Sequence, residues 1–304
     1  MSDAAPILIL AGSTASGKTE LALELAARFD AEIVGADSRQ IYRGMPIGTA
    51  APTPAQLELI PHHLVGFLDP SERYSAARYA GDALAALREI RARNKRAIVT
   101  GGTGFYIRAL VGGVVLAPQF DENARERLVR EARLHPSEVL HAWLALRDPQ
   151  RARALAPNDT YRVIRALEIA LAGPDSLRRD APARTLASDG FAWELVFIDL
   201  PWSTLDERIE RRTARMLEAG LIEEAERIGS SAVAANAVGY PQALGYVRGW
   251  STKDELRASL ARATRRYARR QRAWFRSEPN VRWIPPDAVG AVVREKLGWL
   301  PKRG

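Results

Sequence analysis

The chain has 304 residues, 47% hydrophobic and 26% charged, a composition that supports a sizeable packed core. It contains no cysteine, which excludes disulfide frameworks, thiolate metal sites and cysteine nucleophiles and fits a cytoplasmic enzyme; no apolar run approaches the roughly 20 residues of a membrane span, so no membrane role is expected. Lys and Arg number 44 against 36 Asp and Glu, a formal charge of +8, which points to a polyanionic partner wherever the excess is clustered.

Ile7–Ala11 reads as a short strand that runs into a glycine-rich turn, and Leu21, Leu25 and Phe29 then recur at helical spacing over Glu20–Phe29. Glu32–Ala36 is a second strand ending at Asp37-Ser38, and His63–Leu68 a candidate third. Ser75–Asn94 is a helix capped by Ser75, with Leu84, Leu87 and Ile90 on its apolar face. Ala97–Thr100 is a further strand, followed by Gly101-Gly102-Thr103-Gly104 and a helix from Phe105. Strands alternating with helices predict a parallel sheet covered on both faces. After Leu116 the pattern changes to helices alone, at Asp121–Leu134, Ser137–Leu146 and Asp159–Leu171, and Gly173–Asp189 reads as a mobile polar loop. Leu195–Leu200 resumes the strands, and Leu205–Ala219 and Lys253–Arg276 are helices. The expected fold is α/β: a P-loop NTPase-like parallel sheet with flanking helices over residues 1–114 and 191–304, and an inserted all-helical domain over 115–190.

Gly12-Ser13-Thr14-Ala15-Ser16-Gly17-Lys18-Thr19 matches G-x-x-x-x-G-K-[ST] in full. Its backbone N–H groups would curl around a phosphate, and the following helix adds the positive end of its dipole. Lys18 would reach the terminal phosphate and the Thr19 hydroxyl would ligate Mg²⁺. The motif leaves open which phosphate is held.

Asp37 follows its strand directly, at the carboxyl edge where open α/β sheets bind ligands. Three readings stay open: a Mg²⁺ ligand, a general base, or a turn former. Asp199 is a second acid after a strand and a further metal-organising candidate. Adjacent His62 and His63 point in opposite directions on a strand, which favours hydrogen bonding over a shared metal.

Arg262, Arg265, Arg269, Arg272 and Arg276 recur every three or four residues and form one helical stripe, with Arg266 and Arg270 beside it and no acid in the segment. A run of like charge without alternating acids points to phosphate as its partner.

These residues together resemble the tRNA dimethylallyltransferases (tRNA isopentenyltransferases). The likeness runs through Gly12–Thr19, Asp37-Ser38-Arg39-Gln40-Ile41-Tyr42-Arg43-Gly44-Met45, Ile47-Gly48-Thr49-Ala50, Pro61-His62-His63-Leu64, Asp69-Pro70, Tyr74-Ser75-Ala76, Gly101–Tyr106, Asn158-Asp159, Arg162, Arg165-Ala166-Leu167-Glu168, Val238-Gly239-Tyr240 and Arg270-Gln271 with Trp274-Phe275-Arg276. The resemblance implies transfer of a dimethylallyl group from dimethylallyl diphosphate to the exocyclic N6 amine of the adenosine just 3′ of a tRNA anticodon. Gly12–Thr19 would then hold an isoprenoid diphosphate with Mg²⁺, and Asp37 would be the base. Thr103 would orient the amine and Gln40 would contact the acceptor base, while Arg108 is a weaker candidate for the diphosphate clamp.

By the same resemblance the anticodon stem-loop would meet Asp37, Ser38, Arg39, Gln40, Thr103, Arg125, Tyr161, Arg162, Val163, Ile164, Arg165, Gly239, Tyr240, Arg269, Arg270, Gln271, Trp274 and Arg276, with the helical insertion as a second RNA-gripping lobe. A monomer is expected. The chain departs from the family pattern at Ala51, where lysine is usual, at Pro241 and Gln242, where a basic residue is more common, and at Tyr161, often Gln. Rival readings are an adenylate isopentenyltransferase, a P-loop kinase of small metabolites and a non-catalytic RNA-binding module.

Overall fold

The computed structural model describes residues 5–112, 121–173 and 184–302. Six strands, β1 (Ile7–Gly12), β2 (Ala31–Gly35), β3 (His62–His63), β4 (Arg96–Gly101), β5 (Trp193–Ile198) and β6 (Arg282–Ile284), form one parallel sheet in the order β3-β2-β4-β1-β5-β6. Every residue of β1 and β2 is buried, as a sheet covered on both faces requires.

The helices, in chain order, are α1 (Lys18–Phe29), α2 (Pro46–Thr49), α3 (Pro54–Leu59), α4 (Ala76–Ala92), α5 (Gly104–Val111), α6 (Glu122–Leu134), α7 (Ser137–Arg147), α8 (Pro149–Arg153), α9 (Thr160–Ala172), α10 (Trp202–Glu218), α11 (Leu221–Ile228), α12 (Tyr240–Val247), α13 (Lys253–Arg276) and α14 (Val289–Leu297). Their starts follow local chemistry. Ser75 accepts the Arg78 N–H ahead of α4, and Thr252 and Glu255 close a capping box on α13. Ala22, Leu25, Phe29, Val293, Leu297 and Trp299 pack α1 and the C-terminal segment onto Leu8, Leu10, Ile33, Ile98 and Val196 of the sheet.

The chain divides into two compact units, Met1–Gly113 with Arg184–Gly304, and Val114–Ala183. In the second unit α6 to α9 enclose Leu128, Leu140, Leu144, Val163, Ile164 and Leu167. Asp121, Asp148 and Asp159 each cap a helix there through a side-chain oxygen. Residues 184–190, read from sequence as part of the insertion and of a mobile loop, belong to the first unit: Leu186 is buried and Asp189 is ion-paired with Arg88 of α4. The rest of that loop, 174–183, lies outside the described residues.

The expected third strand His63–Leu68 shrinks to His62–His63, because Leu64 and Gly66 both take φ of 60° and turn the chain. The two histidines hydrogen-bond as expected, His62 Nδ1 with the Ile60 carbonyl (2.7 Å) and His63 Nε2 with Glu32 (2.8 Å). Among the described residues no helix is long and apolar enough to cross a membrane.

Candidate active site and nucleic-acid surface

The strand order sets the site. The adjacent strands β2, β4 and β1 end at Asp37, Gly101–Gly104 and Gly12–Thr19, so three loops distant in sequence share one edge. Close approach at this edge admits only glycine: a Cβ on Gly101 would collide with the Ala36 carbonyl. The Ala36 carbonyl in turn accepts the Thr103 N–H at 3.2 Å.

Asp37 Oδ1 accepts the N–H groups of Arg39 (2.8 Å) and Gln40 (3.4 Å), which fixes the carboxylate; Oδ2 takes no hydrogen bond among the described residues. One oxygen therefore forms the turn while the other stays available to a proton. Thr103 Oγ1 accepts the Ser38 N–H at 2.9 Å and donates to Ser38 Oγ at 3.2 Å. A hydroxyl oxygen has two lone pairs, so one remains for an incoming N–H.

Lys18 Nζ donates to the Ser13 carbonyl at 2.9 Å. Burial draws its pKa down to about 8; the Asp37 charge resists that shift and the nearby Arg212 adds to it. The Arg212 guanidinium is likewise shifted down by burial against the pull of Asp37. Arg208, one helical turn earlier on α10, donates to the Ser16 carbonyl of the phosphate loop at 3.0 Å. Arg208 thus contacts the phosphate loop directly and Arg212 brings a further positive charge near Lys18; sequence reasoning missed both. The available signal was their i, i+4 spacing on a helix that starts just after a strand end.

Gln40 Nε2 donates to the carbonyls of Thr49 (3.2 Å) and Ala50 (2.9 Å). That segment is held by Glu224, buried at 1% exposure, which accepts from Ile47 N–H (3.0 Å), Gly48 N–H (2.7 Å) and Tyr240 Oη–H (2.7 Å). Burial and the Glu224 contact push the Tyr240 phenol upward, keeping it a neutral donor. Replacing Glu224 by alanine would orphan the buried Gly48 N–H and take the carboxylate acceptor from the Ile47 N–H and the Tyr240 hydroxyl, and should destabilise the fold by about 3 kcal/mol. A denaturant midpoint unchanged from the native protein would contradict this.

Several residues expected at RNA are placed elsewhere. Gly239 and Tyr240 are buried, Tyr240 in the cluster with Ile41, Met45, Leu221 and Leu260. Val163 and Ile164 lie in the core of the helical unit, and Arg125, 7% exposed, is ion-paired with Glu168 at 2.8 Å. Arg165 meets the other oxygen of Glu168, also at 2.8 Å. Gln271 is buried between backbone groups. Amphipathic helices bury one face in three or four residues, so a contiguous motif read as contact surface must include core positions.

The arginine stripe also divides. Arg265 pairs with Asp206 and Glu210 of α10, and Arg272 with Asp199 at 2.8 Å. The missing acids of the stripe thus come from outside α13, and Asp199, the second metal-organising candidate, is ion-paired with Arg272. Arg108 pairs with Glu278 and lies over the Trp274 ring, away from a clamp role. Arg262, Arg266, Arg269, Arg270 and Arg276 remain exposed, as do Tyr161 and Arg162 in the helical unit. Pro241 and Gln242, departures from the family pattern, start α12: proline occupies the first turn, and Gln242 Oε1 accepts the Gly239 N–H at 2.9 Å.

Among the described residues no group of three or more His, Asp or Glu could hold a metal. A Mg²⁺ at Thr19 would therefore take its remaining ligands from a bound diphosphate and water. That donor set fits Mg²⁺, which usually keeps waters and binds through substrate phosphates.

A model described as IPP transferase matches residues 40–278, and one described as isopentenyl transferase matches residues 5–68. A tRNA dimethylallyltransferase of Anaeromyxobacter sp. (strain Fw109-5) is 45% identical over 286 residues, 92% of this chain and 94% of that protein. The tRNA dimethylallyltransferase of Geobacter sulfurreducens is 38% identical and covers 96% of this chain, 97% of its own length. Among solved structures, the tRNA isopentenylpyrophosphate transferase of Bacillus halodurans superposes with a TM-score of 0.69 at 33% identity, over 96% of this chain and 97% of that one. A eukaryotic dimethylallyltransferase acting on tRNA shares the fold, with a TM-score of 0.73 at 23% identity over 94% of this chain and 75% of its own.

Proposed function

Because the chain belongs to the IPP transferase family, as tRNA dimethylallyltransferases do, we infer that it transfers the dimethylallyl group of dimethylallyl diphosphate to the N6 amine of the adenosine 3′-adjacent to a tRNA anticodon. The observation that carries the reading is the shared sheet edge. It sets a phosphate loop with two added arginines beside a fixed carboxylate and a hydroxyl with a spare lone pair.

The amine nitrogen attacks the allylic carbon as the carbon–oxygen bond to diphosphate breaks. The diphosphate leaves with the bonding electrons, and Asp37 Oδ2 takes the proton from the nitrogen. An aromatic amine is a weak nucleophile, so a carboxylate already fixed by two backbone N–H groups contributes without reorganising. Lys18, Arg212 and the loop amides meet the charge developing on the leaving group. Thr19 would hold Mg²⁺, which supplies further charge neutralisation of the diphosphate when bound. Thr103 accepts the second amine N–H, and Gln40, anchored by its amide nitrogen, presents its carbonyl oxygen toward the base. The exposed arginines of α13 supply phosphate contacts to the tRNA; the helical unit, taken by itself, offers exposed Tyr161 and Arg162 for stacking and charge contacts to RNA.

Incubation with labelled dimethylallyl diphosphate and bulk tRNA, AMP or ATP tests the activity. Label in tRNA alone is expected. Label in AMP or ATP would favour a free-nucleotide isopentenyltransferase, and no transfer to any acceptor would remove the reading. For the RNA surface, Arg269→Glu with Arg270→Glu should weaken tRNA binding and flatten its log–log salt slope by about two. Arg265→Ala should leave that slope unchanged, because its charge is already met by Asp206 and Glu210.

A further inference from the structure

Gln271 sits among the arginines of α13 but faces inward, 5% exposed. Its Oε1 accepts the Thr14 N–H of the phosphate loop at 2.7 Å, and its Nε2 donates to the Gly102 carbonyl at 2.9 Å. An N–H can only donate and a carbonyl can only accept, so one orientation of one amide satisfies both. Three residues on, Trp274 presses on the same loop. A Cβ on Gly102 would collide with Gln271 Nε2, and one on Gly104 with the Trp274 indole. The glycines at 102 and 104 thus admit α13 onto the backbone either side of Thr103.

We propose that Gln271 is a positioning residue: it holds the phosphate loop and the Thr103 loop in one register from within the basic helix, without touching RNA or diphosphate. The proposal rests on the prenyl-transfer reading above and deepens it. β1 and β4 are neighbours in the sheet, yet past their last paired residues the two loops share no ladder hydrogen bond. The Gln271 amide is a direct polar link between Thr14 and Gly102. Transfer requires donor carbon and acceptor nitrogen at near-attack distance, where an error of about 1 Å costs on the order of 10²-fold in rate. The same link ties the basic helix directly to the loop that grips the leaving group.

Glutamate keeps the oxygen for Thr14 but sets a second oxygen against the Gly102 carbonyl, and methionine keeps the volume but neither bond. In full-length protein, Gln271→Glu and Gln271→Met should each lower the single-turnover rate at saturating substrates by about 10²-fold. Both should weaken binding of inorganic diphosphate with Mg²⁺, measured calorimetrically, by about tenfold, the scale of one net hydrogen bond. The affinity for tRNA and its salt slope should stay at the native values. Lost tRNA affinity with a native saturated rate would make Gln271 an RNA contact and overturn the proposal, as would native values throughout.

Gly102→Ala displaces the same amide without altering Gln271, and serves if the position-271 variants fold poorly. It should reproduce the rate defect, and with Gln271→Met the two losses should not add. Additive losses would also overturn the link. Native protein that binds diphosphate but prenylates no tRNA would instead defeat the functional reading, leaving the diphosphate result to decide the role of Gln271.

Discussion

Asp37→Asn should slow single-turnover prenyl transfer about 10²–10⁴-fold while leaving diphosphate binding at least as tight as in the native protein. Asparagine is the informative replacement because its carbonyl oxygen can still accept the N–H groups of Arg39 and Gln40 that Asp37 Oδ1 accepts. The turn survives and only the proton acceptor is lost. Alanine removes both, so a slower alanine variant measures what the turn adds. The diphosphate sign follows from charge. Asp37 lies close enough to Lys18 and Arg212 to stabilise both cations, and it repels the anion they would bind. Neutralising it removes that repulsion. A near-native single-turnover rate in Asp37→Asn would exclude proton transfer to this carboxylate.

How far the sequence reveals this site depends on how local each signal is. The phosphate loop is contiguous and its residues lie where its motif demands, between β1 and α1. Asp37 and the Gly101–Gly104 loop are each visible as strand ends, but their meeting requires the strand order, which no local pattern encodes. Arg208 reaches the phosphate loop at the Ser16 carbonyl from 192 residues away, and Arg212 reaches the Thr49 carbonyl from 163 residues away, so only tertiary packing identifies them. β6 is three residues, Arg282–Ile284, too short for a two-residue period to register. The basic helix shows the reverse error. Its stripe is legible to the residue, but spacing cannot reveal that Asp199, Asp206 and Glu210 neutralise Arg272 and Arg265 from outside the helix. Gln271 fails for a related reason: adjacent to Arg270 and Arg272 it reads as part of an RNA surface, and its inward face appears only once the glycine loop is packed against it.

Lys18→Met should raise the stability of the substrate-free protein at neutral pH while lowering kcat/KM for the donor about 10²–10³-fold. The two signs have one cause. Burial lowers the Lys18 pKa from its ordinary 10.5 to about 8, so the folded chain binds this proton less tightly than the unfolded chain. Between about pH 8 and 10.5 the unfolded state holds more protons and stability rises with pH. Below about 8 the full cost of the buried ammonium stands, and methionine removes it. The gain in melting temperature from Lys18→Met should therefore be largest below pH 8 and shrink toward pH 10.5. Function runs the other way. As the free enzyme loses this cation above about pH 8, native kcat/KM for the donor should fall toward tenfold per pH unit, a limb the methionine variant lacks. In the enzyme–substrate complex the diphosphate charge raises the amine pKa again, so the limb in kcat should lie at higher pH than the limb in kcat/KM. A native kcat/KM profile flat to pH 10 would show that the amine keeps its ordinary pKa in the free enzyme, and native kcat/KM in Lys18→Met would remove Lys18 from the leaving-group cradle. A loss of stability in Lys18→Met would mean that the hydrogen bond to the Ser13 carbonyl and the attraction of Asp37 outweigh the cost of burying the ammonium.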